Sequence, residues 1–412
     1  MSSKISDYIV GVAVKKLSAV ECPSGTSKQH EFNGVNSIQK ILGKEPKQLK
    51  TQFGYLPDEE ENIEYGEGNS TWYDSREGKP RSAEYRLYYT GNTPMDKATE
   101  GDFLFICLKS NGDLLVIITP ENSSTGNQLL WLFDVSEINR NYVIKEFNVE
   151  DRVLNYVSKY IMKLLGIQVI DEVPTYFEEL IKTFGYSFPT TFEFSQFARK
   201  TCKEVSIRED PDEALLKYLD REESLFRMLE AHIIKEQVEI FYTKHSDDNA
   251  VNIDAFISLA LSIINTRKSR AGHAFENHLK FIFTELGLSH SKGQCTERKN
   301  KPDFVFPGIK FYHDMDFPVE LLTILGVKTS AKDRWRQILT EADRIPHKHM
   351  ITLQPAITVN QLTEIAASNI QLVTPEQIRI SYNQKQRESI LNLRDFIAVI
   401  TEKQNRTTYR FT

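Results

Sequence analysis

Two residues, an acid and a lysine, have the types and spacing to do chemistry. Asp303 follows Lys301 and Pro302 at the opening of a short apolar run, and Lys328 follows Gly326 and Val327 at the end of the next one. If both runs are strands and neighbours in one sheet, the carboxylate and the ammonium meet within a few ångströms at one sheet end. Phosphodiester cleavage needs such a pair. The carboxylate holds a hard divalent cation through oxygen, and the lysine orients or polarises the attacking water. Mg2+ fits, because it takes a few carboxylates and fills its remaining positions with water and phosphate oxygens. Read alone, Lys301 to Asp303 is more often a plain turn.

The second acid of this nuclease motif belongs two residues before the lysine, where the chain has Gly326. Glu341 lies thirteen residues after Lys328 on a following helix, whose direction can carry its carboxylate back to the same place. Upstream, Arg267, Lys268 and Arg270 precede an amphipathic helix expected to begin near Gly272, with Glu276 beside the apolar Phe275 and Leu279. Basic groups at a helix start oppose its dipole and so point to an anionic partner such as a phosphate backbone. A solvated basic loop is the other reading. Lys332 and Arg334 can donate to guanine O6 and N7 while Asp333 accepts from the cytosine amino group, which is the chemistry for reading C·G pairs in a major groove. The same residues also suit an ordinary first helical turn with Asp333 near the cap.

The elements that must position these groups follow from periodicity. Residues 1 to about 165 alternate in short apolar runs broken by turns, and predict strands over Asp7 to Lys16, Arg86 to Tyr89, Phe103 to Leu108, Asp113 to Thr119 and Gln128 to Val135. Helices are expected near Ser37 to Leu42 and over Asp151 to Leu165. The acidic run from Asp58 to Glu67 reads as a solvated loop rather than a metal site. The domains expected are a mostly β amino-terminal domain over 1–166, a joint over 167–189 containing Pro174, and an α/β domain over 190–412. In the last, Asp212 to Glu239 has helical periodicity. Strands over Asp303 to Phe306 and Thr323 to Thr329 lead into a helix over Asp333 to Ile345, which buries Trp335, Ile338, Leu339 and Ala342.

Composition sets the outer bounds. The chain has 412 residues, 40% of them hydrophobic and 26% charged, which is enough to build real cores and argues against disorder as its main theme. A net charge of −6 argues against indiscriminate binding to polyanions, but a nucleic-acid site needs only a local positive surface. Cys22, Cys107, Cys202 and Cys295 lack paired ligand spacing and read as free thiols of a reducing compartment. The one apolar stretch near the start, Tyr8 to Val14, is too short to span a bilayer, so the expected location is cytoplasmic with no membrane partner.

Three stretches taken together carry a resemblance: Arg267 to Phe283, Lys301 to Pro307, and Phe317 to Ile345. They resemble the EcoRII-like type IIE restriction endonucleases of the PD-(D/E)XK nuclease superfamily, three motifs in order over about eighty residues. The resemblance implies a restriction-endonuclease-like α/β domain in which Asp303 and Glu341 ligate Mg2+ and Lys328 activates water. Glu276 would add a further acid, and Tyr312 matches a tyrosine associated with the centre. It also implies that Lys332, Asp333 and Arg334 read outer C·G pairs of a CCWGG-like site, with Arg267 and Arg270 near the backbone. Relatives flip central nucleotides into a pocket of an arginine and an aromatic residue; Arg221 and Phe226 lie nearby in this sequence. A fainter similarity runs through the amino-terminal half, from Lys15 to Ala19, at His30, and over Tyr73 to Arg86. It implies a β pseudobarrel effector domain touching DNA through His30, Arg76, Lys79, Arg81, Glu84 and Arg86; a solvated hairpin is the other reading.

The function expected is Mg2+-dependent cleavage of double-stranded DNA by a homodimer, regulated by effector sites on the amino-terminal domain. A cognate DNA methyltransferase in the same cell would be a functional partner. The alternatives are a nuclease for modified or branched DNA and a non-catalytic sequence-specific binding protein.

Overall fold

In the computed structural model, residues 3–22, 30–32, 35–148, 154–167, 169, 176–202, 205–244, 253–331 and 334–406 are described. The chain divides into two compact units, one of residues 1–170 with 355–358, the other of 171–354 with 359–412.

The first unit is built on an eight-stranded mixed sheet. Its strands are β1 (Ile9–Lys16), β2 (Glu31–Phe32), β3 (Lys47–Tyr55), β4 (Glu64–Asp74), β5 (Tyr85–Tyr89), β6 (Phe103–Lys109), β7 (Leu114–Thr119) and β8 (Val143–Glu146). They lie in the order β2-β5-β4-β3-β7-β6-β1-β8, with β3 and β7 parallel and the other pairs antiparallel. Strands β6 and β7 are unbroken apolar runs because they sit mid-sheet; every residue of β7 is buried. Trp72, Phe53, Leu87, Leu104, Ile106 and Val116 form the core.

Short helices α1 (Gln39–Leu42), α2 (Thr93–Asp96), α3 (Ser124–Leu132) and α4 (Tyr156–Leu164) complete this unit. Helix α3 replaces the strand expected over Gln128 to Val135. Its amino end is doubly capped: Ser123 Oγ accepts the Gly126 amide at 2.9 Å, and the Asp58 carboxylate accepts the amides of Ser124 and Thr125 at 2.9 and 3.1 Å. Caps of this kind stabilise a helix start by about 1 kcal/mol each, which outweighs the strand propensity of the segment. Part of the acidic run is therefore a cap, and Glu64 and Glu67 belong to β4 rather than to a loop.

The second unit sets a helical layer against a five-stranded sheet. The helices are α5 (Phe177–Phe184), α6 (Thr191–Lys200), α7 (Pro211–Lys244) and α8 (Ile253–Glu285), then α9 (Ile309–His313), α10 (Trp335–Leu339), α11 (Val359–Ala367), α12 (Glu376–Arg379), α13 (Gln384–Arg387) and α14 (Leu393–Asn405). The strands are β9 (Ser291–Lys292), β10 (Phe304–Phe306), β11 (Thr323–Lys328), β12 (Lys348–Thr352) and β13 (Ile370–Val373), in the order β13-β12-β11-β10-β9. Pairing is antiparallel from β9 to β11 and parallel from β11 to β13. Phe283 of α8 meets Phe304 and Phe306 edge-on at 5.3 and 5.2 Å, which fixes the helix over the sheet.

Two helix boundaries differ from expectation. Helix α8 begins at Ile253, so Gly272 is mid-helix and Arg267 and Arg270 are not at a helix start; helical geometry continues through a single glycine at a cost of about 1 kcal/mol. Helix α10 ends at Leu339, which is 38% exposed, and Glu341 falls in the turn that follows. The joint expected over 167–189 contains α5, whose Leu180 is fully buried; Pro174 lies outside the described residues. Among the described residues no helix is long and apolar enough to cross a membrane, and all four cysteines are free thiols.

Candidate active site

Strands β10 and β11 pair with Phe304 opposite Leu325, which puts Asp303, just ahead of β10, level with Gly326. Asp303 Oδ2 accepts the Val327 amide at 2.6 Å and the Lys328 ammonium at 3.2 Å. The two side chains are only 18 and 16% exposed, so the ion pair is weakly screened by solvent. The sheet register alone thus brings together an acid and a lysine that are 25 residues apart.

Glu341 joins them from the turn after α10. Its Oε2 is buried and has no hydrogen-bond partner among the described residues. Burial pushes its carboxyl up to about 7; the Asp303 charge adds to the shift, and Lys328 and Lys348 oppose it. A buried carboxylate oxygen without a donor is costly unless a cation satisfies it. Among the described residues no three His, Cys, Asp or Glu side chains gather for a metal ion. Two carboxylates suit a hard divalent cation that keeps much of its water, and the chemistry of Asp303 and Glu341 fits such an ion.

The other expected site residues are placed differently. Glu276 Oε2 faces the Lys292 ammonium at 2.9 Å, and Lys292 is paired with Phe304 beside Asp303. Tyr312 is buried, and its hydroxyl donates to the Glu297 carboxylate and accepts the Arg344 amide at 3.2 Å. Arg267 forms a two-pronged bond to Glu230, 2.7 Å on each arm. Arg270 is buried, donates to the Pro189 carbonyl at 2.9 Å, and lies 5.0, 5.2 and 5.9 Å from the ring centres of Phe226, Phe194 and Phe188. Because α8 runs through this segment, neither arginine stands at a helix start, and both make contacts within the unit. Phe226 is consumed by that packing, while Arg221 sits 5.4 Å from the Tyr176 ring. Arg334 is exposed ahead of α10, and Lys332 and Asp333 lie outside the described residues.

In the first unit the segment 75–84 joins β4 to β5. Asp74 Oδ1 organises it by accepting the amides of Arg76 and Glu84 at 2.9 and 2.8 Å. Arg76 pairs with Glu84, Arg86 pairs with Glu31 at 2.7 Å and Glu84 at 3.3 Å, and Lys79 donates to the Ser75 carbonyl at 3.0 Å. Arg81 is exposed. His30 packs edge-on against Tyr89 at 5.6 Å, beside the β2–β5 pairing. Arg76, Glu84 and Arg86 thus meet at the start of β5, whereas His30 stands opposite Tyr89 at the far end of that strand. Sequence reading passed over Glu31, which binds Arg86 and also accepts the Tyr73 hydroxyl at 3.0 Å. It also passed over Glu297, Arg344 and Lys348 around Glu341; isolated charged residues have no spacing signal.

Residues 226–397 match the family model described as EcoRII C terminal. The type II restriction enzyme EcoRII of Escherichia coli is 40% identical over 215 residues, 52% of this chain and 51% of that protein. The type II restriction enzyme SsoII of Shigella sonnei is 25% identical over 164 residues, 37% of this chain and 52% of that protein. The chain spans about half the length of the curated relatives it matches. Among solved structures, metal-depleted Ecl18kI in complex with uncleaved DNA aligns with 19% identity and a TM-score of 0.47, over 58% of this chain and 88% of that one. The restriction endonuclease PspGI–substrate DNA complex aligns with 14% identity and a TM-score of 0.45, over 58% of this chain and 99% of that one. It is over residues 226–397 that this chain is similar to the EcoRII C-terminal family.

Proposed function

We propose that this chain is a type II restriction endonuclease that hydrolyses double-stranded DNA at a short C·G-flanked site, CCWGG-like, with Mg2+ as its cofactor. The observation that carries the reading is the triad of Asp303, Lys328 and Glu341, in which a lysine ammonium lies 3.2 Å from one acid and a second acid has a buried oxygen without a hydrogen-bond partner among the described residues. Asp303 and Glu341 would hold the divalent cation, which when bound supplies Lewis acidity that offsets charge on the phosphate oxygens. The Lys328 ammonium orients water for in-line attack on phosphorus. The new P–O bond forms as the bond to the 3′ oxygen breaks, leaving a 5′ phosphate and a 3′ hydroxyl. The Asp303 and Lys328 side chains are mostly shielded from solvent, which strengthens their electrostatic contacts.

Arg334, with Lys332 and Asp333, would read the outer C·G pairs. The first unit, with its β4–β5 segment, would be a second DNA-binding body that regulates cleavage in type IIE fashion. Exposed Ile253, Phe256, Ile257, Leu261 and Ile264 recur at helical spacing on α8 and support a homodimer. The location would be cytoplasmic, beside a protective methyltransferase.

The test is incubation of the full chain with sequenced plasmid carrying several CCWGG sites, with Mg2+ or with EDTA, and mapping of the ends. Cuts confined to one short C·G-flanked sequence and dependent on Mg2+ support the reading. Absence of cutting on unmethylated DNA with added site-bearing duplex overturns it.

A further inference from the structure

The turn that presents Glu341 is tied down along nearly its whole length. The Asn300 side-chain amide donates to the Thr340 carbonyl, and Glu297 Oε2 accepts the Asp343 amide at 3.3 Å. The Tyr312 hydroxyl accepts the Arg344 amide at 3.2 Å while donating to Glu297. The Arg344 guanidinium in turn donates to the carbonyls of Asp314 at 2.7 Å and Phe317 at 2.6 Å, which anchors the turn to the segment after α9.

Lys348 closes the other side. It is 6% exposed, it opens β12 next to the strand that carries Lys328, and its ammonium donates to the carbonyls of Glu341, Ala342 at 2.8 Å and Ile345 at 3.0 Å. Ala342 has φ of +51°, a conformation that a non-glycine residue keeps only when its surroundings fix it. Three carbonyls converging on one buried ammonium are such surroundings. They fix the backbone of Glu341, whose Oε2 has no donor among the described residues.

We propose that Lys348 is a positioning residue: its ammonium clamps the turn 341–345 so that the Glu341 carboxylate is held at the cation site beside Asp303, with the Tyr312–Glu297 pair as the opposing brace. This rests on the reading of Glu341 as a cation ligand. Groups that orient a ligating carboxylate from behind alter metal affinity by about 10- to 100-fold when removed, and a lysine whose three donors are all spent on carbonyls has no part in the chemistry itself.

The experiment uses the full chain and Mn2+ as the probe. Mn2+ affinity is measured by calorimetry for the parent, Lys348→Met, Lys348→Arg, Tyr312→Phe and Glu341→Gln, with metal-free affinity for a CCWGG duplex and urea stability measured alongside. The result expected is Mn2+ affinity weakened about tenfold or more in K348M, less in K348R, which keeps a charged donor, with metal-free DNA affinity within about twofold. Y312F should weaken Mn2+ binding in the same direction and keeps the test open if K348M does not fold. Unchanged Mn2+ affinity in K348M, or in Y312F where K348M does not fold, with E341Q weakened, overturns the positioning role alone. Unchanged affinity in E341Q overturns the ligand reading and takes this inference with it. Parallel loss of stability, DNA affinity and Mn2+ affinity in K348M reduces the lysine to a packing residue and also overturns it.

Discussion

Ile338 stands where a side chain at position 326 would have to be: a Cβ on Gly326 would lie 2.4 Å from Ile338 Cδ1 and 2.8 Å from its Cγ1. Helix α10 therefore presses on β11 closely enough to shut the position two residues before Lys328. That packing disfavours a side chain at 326. On the proposed reading the second acid is supplied instead from the turn just past the same helix, at Glu341, so the displaced acid and the glycine would be one packing solution.

Gly326→Ala should accordingly destabilise the chain by about 1–3 kcal/mol, the range for overpacking a well-filled core. Urea denaturation reads it as a lower midpoint with unchanged slope. A parental midpoint would show that Ile338 gives way freely and that the contact does not explain the glycine.

Asp303→Asn and Lys328→Met each should lower the single-turnover cleavage rate by roughly a thousandfold or more, equivalent to about 4 kcal/mol of barrier. Metal-free affinity for a site-bearing duplex should stay within a few-fold, because neither side chain is a donor spare for the backbone: Lys328 and Asp303 are bound to each other. Cleavage within tenfold of the parent in either variant contradicts the assigned chemistry.

Strand periodicity made Asp303 and Lys328 legible, since a carboxylate before one apolar run and a lysine closing the next must meet if the runs pair antiparallel, as β10 and β11 do. Strands β6 and β7 were legible for the same reason. Strands β3 and β4 were not, because their buried positions alternate with Lys50, Gln52, Glu67 and Asn69, and their apolar content is thin. The true start of α8 was hidden by Gly272, which looks like a boundary but is tolerated inside a helix held by packing. The clamps on the turn at Glu341 were illegible for a different reason. Lys348 acts on backbone carbonyls, and nothing in a sequence marks which carbonyls a buried ammonium will meet.

The first unit allows a prediction that separates charge exposed to a partner from charge spent internally. Lys79 and Arg81 lie exposed in the segment joining β4 to β5, Lys79 meeting the neutral Ser75 carbonyl there, whereas Arg86 is paired with the carboxylates of Glu31 and Glu84. If this segment lies along a phosphate backbone, Lys79→Ala and Arg81→Ala should each reduce the slope of log affinity against log salt by about 1, uniformly across sequences. Filter binding of the metal-free protein between low and physiological salt measures it. An unchanged slope in the double variant would remove this segment from the DNA interface.

Acid sensitivity of the second unit follows from its buried histidines. His349, in β12, is pushed down to about 3 chiefly by burial, with His347 and Lys403 adding to the shift; burial also lowers His278 and His290. An unfolded histidine titrates near 6.5. Between that value and about 3 the unfolded chain therefore binds a proton at position 349 that the folded chain refuses. Stability must rise with pH across this window, and be lost as pH falls below about 6.5. Between pH 7 and pH 5 the loss from one such histidine is about 2 kcal/mol. His349→Leu, which also removes a buried Nδ1 without a partner among the described residues, should flatten the difference in urea stability between pH 7 and pH 5 by that amount, whatever it does to the value at pH 7. An identical pH dependence in parent and variant would mean that His349 accepts its proton inside the fold, and that the β12 core admits a charge its apolar surroundings should exclude.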